Sequence, residues 1–292
     1  MNTAATPKFQ TLPLDRPMRH LWLTATTDIL ESLRAQWFLV YALIFGGLVV
    51  LLFAFGVTES RIMGFTGLSR LMVTYIQLAM AILPVFVLVS TVRSVAGDRE
   101  AGIFEYLLSL PISLAAWYWG KLLGRFMVVF LPVFLAMALA VVWGMARGAE
   151  VPWVLFGYYT GLLMGLAWCF LGIGMLISTL ARSTDLAQGV AFVVWLMLLL
   201  FLDLILLGIM VRQSLPPETA VAIALANPLQ VFRTATMMLF DPQLVLLGPT
   251  AYVILDHFGQ TGYMIYALAY PALLGSLCAT AGFVRFKRGD LP

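Results

Sequence analysis

A chain of 292 residues with 62% apolar side chains, only 11% charged ones and a mean hydropathy of +0.98 is excluded from the soluble globular class. Its formal net charge of +3 is too small to argue for a nucleic-acid partner. Its two cysteines, Cys169 and Cys278, both fall inside apolar runs, where a small hydrophobe is expected rather than a disulfide or a metal ligand.

Apolar runs of about 20 residues recur along the chain, the length that crosses a ~30 Å hydrocarbon core at ~1.5 Å rise per residue. In lipid every backbone amide must be satisfied within its own segment, so these runs are expected to be helices. The fold class expected is therefore an all-α, polytopic membrane protein. Residues 1–36 form an N-terminal arm without a span, and the first apolar run is too long for a cleavable signal. Six spans follow, at about 37–55, 71–92, 117–145, 154–180, 186–211 and 262–283. Pro84 and Pro132 mark points where the second and third can bend.

An even number of spans puts both ends on one side. With that side cytosolic, twelve of the 17 basic residues lie inside, which favours an N-in, C-in topology. The segment from about 219 to 255 then lies on the outer face. It is too apolar for a free loop and reads as short helices, with Asn227-Pro228 and Asp241-Pro242 as helix starts.

One stretch breaks the apolar pattern. "GDREAGIFEYLLSLP", residues 97–111, sits between the second and third spans, on the cytosolic side of this topology. As a helix over about 97–110 it puts Ile103, Phe104, Leu107 and Leu108 on one face. Asp98, Arg99 and Glu100 would occupy its first turn, where carboxylates suit the helix dipole, and Pro111 would end it.

That stretch, followed by Gly120-Lys121, resembles the first cytosolic loop of the ABC-2-type transporter permeases. Gly97, Glu100, Gly102, Leu107, Leu108, Pro111, Gly120 and Lys121 sit at matching positions, whereas Ile103 stands where Thr or Ser is usual. "TTDILESLRAQWF" resembles the family's N-terminal interfacial helix through Asp28, Glu31, Leu33, Arg34 and Trp37, with Thr27 in place of its lysine. "RFKRGDL" resembles its basic exit from the last span. Within the family, "VVWLMLLLFLDLILLGIMV" and "LANPLQVFR" are most similar to the NosY-type permeases of nitrous-oxide-reductase maturation transporters.

The resemblance implies a type V exporter-like fold: six spans, an interfacial helix and a cytosolic coupling helix. The coupling residues it implies are Gly97, Asp98, Arg99, Glu100, Gly102, Phe104, Glu105, Leu107, Leu108 and Pro111, which would dock on a separate ATPase. The chain has no GxxxxGK[ST] loop, so it is not expected to be an enzyme. ATP and Mg would belong to the partner, and this chain would bind no cofactor. The implied assembly in the bacterial inner membrane is two copies of this chain with two ATPases, and a periplasmic accessory protein.

Other residues admit two readings each. Asp203, inside the fifth run, would face either a dimer lumen or a helix-packing hydrogen bond, since a charge facing lipid costs ~2.5–3.5 kcal/mol. Arg34 and Lys121 would touch either the ATPase or lipid headgroups. Asn227, Pro228 and Arg233 belong to the outer face. Gly161 and Gly165 form a GxxxG suited to close helix approach. Met237, Met238, His20 and His257 lack ligand-type spacing, so no metal site is expected. Trp37, Trp117, Trp119 and Trp153 fit an interfacial belt. Three functions stay open: copper-enzyme maturation, export of a lipid, drug or polysaccharide, and a force-transmitting anchor that moves no solute.

Overall fold

The computed structural model describes residues 17–34, 36–54, 67–103, 113–148, 150–201, 217–240 and 249–289, and its described elements are all helical. In chain order they are α1 (Pro17–Arg34), α2 (Gln36–Ala54), α3 (Gly67–Thr91), α4 (Arg93–Glu100), α5 (Leu114–Ala146), α6 (Trp153–Leu180), α7 (Thr184–Leu196), α8 (Pro217–Ala226), α9 (Pro228–Phe240) and α10 (Pro249–Gly289). The end of α7 passes into a π-helical turn, Met197–Phe201.

Among the described residues, four helical stretches are long and apolar enough to cross a membrane: Met72–Glu100, Leu114–Ala146, Trp153–Leu180 and Asp256–Arg288. A fifth joins them if α1 and α2, bent 72° from one another, count as one broken span. Helices α3 and α5 continue through Pro84 and Pro132. Asp203 and the Asp241-Pro242 pair lie outside the described residues.

The core is organised around α6, which meets α10, α3, α5, α9, α4 and α7. Its glycines explain how it can be so central. A side chain on Gly275 of α10 would come within 2.6 Å of the Trp168 carbonyl and 2.7 Å of Cys169 Cα. Gly172 faces Gly275 from the other side, and Gly165 lies against Leu268 and Pro271. Bare backbones meet here, so the small-residue face of α6 is used within one chain, against α10.

The same device seats α1 on α5. A Cβ on Gly120 would meet the Leu21 carbonyl at 2.7 Å, and one on Gly124 would meet the Ala25 carbonyl at 2.8 Å. Buried hydroxyls cross-tie the bundle: Tyr75 donates to the Val133 carbonyl at 2.8 Å, Tyr118 to Ala279 at 2.8 Å, and Tyr159 to Thr236 at 3.2 Å. Each pairs a polar group that lipid could not satisfy.

Candidate functional site

The described part of the charged stretch, residues 97–103, lies where α3, α5, α6 and α7 come together. Helix α3 stops at Thr91, Val92 forms a turn, and α4 restarts as a separate short helix. The restart leaves amide N–H groups without intrahelical acceptors. Ser178 of α6 fills that gap. Its Oγ accepts from the backbone N–H of Val95 and of Ala96, both at 3.0 Å, and donates to the Val92 carbonyl at 2.6 Å. Ser178 is fully buried, and so are Val92, Val95 and Ala96. Gly174, one turn earlier on α6, lets Thr91 approach: a Cβ there would lie 3.0 Å from the Thr91 side chain.

The next two charged residues address the turn between α6 and α7. The Arg99 guanidinium donates to the Ala181 carbonyl at 2.7 Å and to Thr179 at 3.4 Å, at the end of α6. The Glu100 carboxylate accepts from the Thr184 N–H at 2.9 Å and from the Thr184 hydroxyl, at the start of α7. A cation on a helix C-terminus and an anion on a helix N-terminus are both the favourable sign for the dipole. Ser183 completes the turn by accepting from Leu186 N–H at 3.2 Å. The Thr184 hydrogen bonds hold the Glu100 carboxyl below its ordinary range.

Asp98 faces the other way and pairs with Lys121 of α5. The Lys121 ammonium also donates to the Ser94 carbonyl at 2.9 Å and lies 4.9 Å from the centre of the Trp117 ring. Arg125, one turn on, reaches the Ser90 carbonyl and sits 3.3 Å from the Asp28 carboxylate of α1. Helices α5, α6 and α7 thus converge on α4 through backbone groups and charge pairs, and α1 is tied to α5 beside them through Arg125.

Three expectations change. Asp98, Arg99 and Glu100 do not begin a helix that runs on to residue 110. They are the last turn of α4, capped by Ala101 N–H to Gly97 at 2.9 Å and Gly102 N–H to Arg99 at 3.1 Å. Gly102, at φ 68°, ends the helix in a conformation that glycine adopts without strain. The carboxylate of Glu100 therefore serves the dipole of α7 and not that of its own helix. Lys121 is turned inward and only 8% exposed, so its ammonium is taken up by Asp98 and the Ser94 carbonyl rather than held out at the surface of this chain. Trp117 is buried under Phe286, 5.4 Å between ring centres, and forms no interfacial belt.

Of the remaining expected residues, Gly97 lies in α4 beside Arg93 and Thr184, Ile103 is exposed, and Arg34 ends α1 exposed. Phe104, Glu105, Leu107, Leu108 and Pro111 lie outside the described residues. Asn227 caps α9: its Oδ1 accepts from Leu229 N–H at 3.0 Å, while its Nδ2 donates to the Leu198 carbonyl in the π turn at 2.7 Å. Pro228 is the first residue of α9, and Arg233 follows half-buried. Met238 is fully buried in the core.

The site also holds residues that sequence reasoning passed over, namely Ser178, Thr184 and Arg125. The signal for Ser178 was present: Gly174 and Ser178, four apart, are small residues on one face of a long apolar run. A lone serine in a membrane helix carries no pattern that names its distant partner.

The family model described as ABC-2 family transporter protein matches residues 22–291. A protein named probable ABC transporter permease protein NosY from Stutzerimonas stutzeri is 26% identical over 233 residues, covering 77% of this chain and 83% of that protein. A protein of the same name from Pseudomonas aeruginosa is 27% identical over 227 residues, covering 76% and 82%.

Proposed function

We propose that this chain, which belongs to the ABC-2 transporter family, is the membrane subunit of an ATP-driven transporter and is worked from the cytosol by a separate ATPase. The family is one of transporter permeases, which are not normally catalytic. The finer reading is a six-span subunit in the bacterial inner membrane, N-in and C-in. Two copies would pair with two ATPase subunits that hold the ATP and Mg. The similarity to proteins named NosY supports a role in maturation of a periplasmic copper enzyme, with a periplasmic accessory protein as further partner.

The observation that carries this reading is the clamp of Arg99 and Glu100 on the two ends of the α6–α7 turn. Helix α4 is joined to α6 by Ser178, to α7 by Glu100 and to α5 by Lys121. A displacement delivered to the segment after Glu100 would move three helices together, because packed interfaces of this kind switch between discrete arrangements. That is what a contact driven by a nucleotide-dependent partner needs.

The test replaces Glu100 by Arg and, separately, Leu107 by Asp, and co-purifies each variant with the co-expressed ABC ATPase that binds the parent chain. Both variants are expected to lose bound ATPase or its stimulated turnover. Undiminished binding and turnover in both would remove the assignment.

A further inference from the structure

A cavity of about 460 Å³ opens between α1, α2, α3, the start of α4 and α5, bordering the charged junction and sharing Ser90 and Arg125 with it. Its lining is graded along the bundle. Glu31 and Ser32 come from the last turn of α1, Ser90 and Arg93 from the α3–α4 junction, and Arg125 from α5. One or two turns further into the spans the lining is Phe38, Tyr41, Val85, Phe86, Val89, Val128 and Val129. One end is therefore charged and the other apolar.

Two features point to an occupant. Tyr41 is 4% exposed and packs 4.8 Å from Phe45 and 4.7 Å from Phe86 between ring centres, yet its buried hydroxyl meets no hydrogen-bond partner among the described residues. An orphaned hydroxyl of this kind costs ~1–3 kcal/mol unless something supplies an acceptor. The charged end also carries both signs. Arg125 is matched by Asp28, which leaves the Arg93 cation and the Glu31 anion as the unmatched pair among the lining residues. Gln188, with its amide oxygen turned toward Arg93, takes the Nε and one Nη, and a guanidinium has five N–H donors to share.

We propose that this cavity binds a zwitterionic phospholipid of the ethanolamine class. Arg93 meets the phosphate, Glu31 meets the ammonium, and the Tyr41 hydroxyl donates to an ester carbonyl. The start of one acyl chain lies against Phe38, Phe86 and the valines. The volume falls within the ~300–1,000 Å³ of small-molecule sites, so the site takes a headgroup and the nearest part of a chain, with the rest in the bilayer. A purely anionic lipid would satisfy Arg93 and face Glu31 with the wrong sign.

The test uses the full chain purified from membranes, delipidated in detergent and returned to equal phosphatidylethanolamine and phosphatidylglycerol, with bound lipid counted by native mass spectrometry. The parent is expected to retain phosphatidylethanolamine. Arg93→Gln should lower its occupancy about tenfold, the worth of one charge-assisted hydrogen bond. Glu31→Gln should abolish the preference and let phosphatidylglycerol compete equally. Both positions are exposed, so folding is not at stake. Equal retention of the two lipids by the parent, or occupancy unchanged in both variants, would overturn the proposal. So would a change in oligomeric state without a change in lipid, which would give the cavity to a second copy.

Discussion

Ser178→Ala removes one oxygen atom from the centre of the junction. In the folded chain that atom serves the Val95 and Ala96 N–H groups and the Val92 carbonyl. All three residues are fully buried, so no water takes its place. Two orphaned N–H groups at ~1–3 kcal/mol each give a loss of about 2–6 kcal/mol. At roughly 2–4 °C per kcal/mol for a chain of this size, the smaller figure already lowers the unfolding midpoint by about 4 °C. Thermal unfolding of the purified chain in detergent, followed by intrinsic fluorescence, reads this directly. Thr160→Val on the same helix is the control, because the Thr160 hydroxyl bonds only the Phe156 carbonyl of its own helix. A Ser178→Ala midpoint within about 1 °C of the parent would refute the claim that α6 supports α4 through this hydroxyl.

Gly275→Ala should be more damaging than its single methyl suggests. Its Cβ would stand 2.6 Å from a backbone oxygen, against the ~3.3 Å of a tolerated carbon–oxygen contact, so α6 and α10 must part by about 0.7 Å. A loss of ~1–3 kcal/mol, read as a lower unfolding midpoint, is expected. Lys121→Met should lower the midpoint by more than Arg34→Met, since Lys121 holds Asp98 and the Ser94 carbonyl and Arg34 is exposed. The Glu100 clamp follows pH with a known sign. A carboxyl held below its ordinary 4.5 contributes stability that is fully present above that value and is lost as the pH falls through the lower, folded one. Coupled ATPase turnover should therefore show no inflection from Glu100 between about pH 6 and pH 8, and Glu100→Gln should leave the shape of that profile unchanged.

Helix content and the membrane class are legible in the sequence because lipid leaves the backbone no alternative, so long apolar runs must be helical. The start of α9 at Asn227-Pro228 was legible for a local reason, the cap and the proline being neighbours in the chain. The Arg99 and Glu100 contacts were not. Their partners Ala181 and Thr184 lie some 80 residues away, and one of them offers only a backbone carbonyl. The phase of the charged helix was misread for a related reason. Residues 93–100 complete a short helix of their own, whose end is set by Gly102, and amphipathic periodicity does not register where one helix stops and the next begins. Lys121 misleads in another way, because a cation near a span end suits headgroups in general and only packing shows that it turns inward to Asp98.

The central claim concerns the side from which the junction is worked. Ile103, exposed just beyond α4, can be replaced by cysteine, with Cys169 buried and Cys278 half-buried. In inside-out vesicles that also contain the co-purifying ABC ATPase proposed above, a short thiol crosslinker should join Ile103→Cys to that subunit. A membrane-impermeant maleimide added to intact spheroplasts should leave it unlabelled. Labelling from the outer face, with no crosslink to the ATPase, would contradict the account.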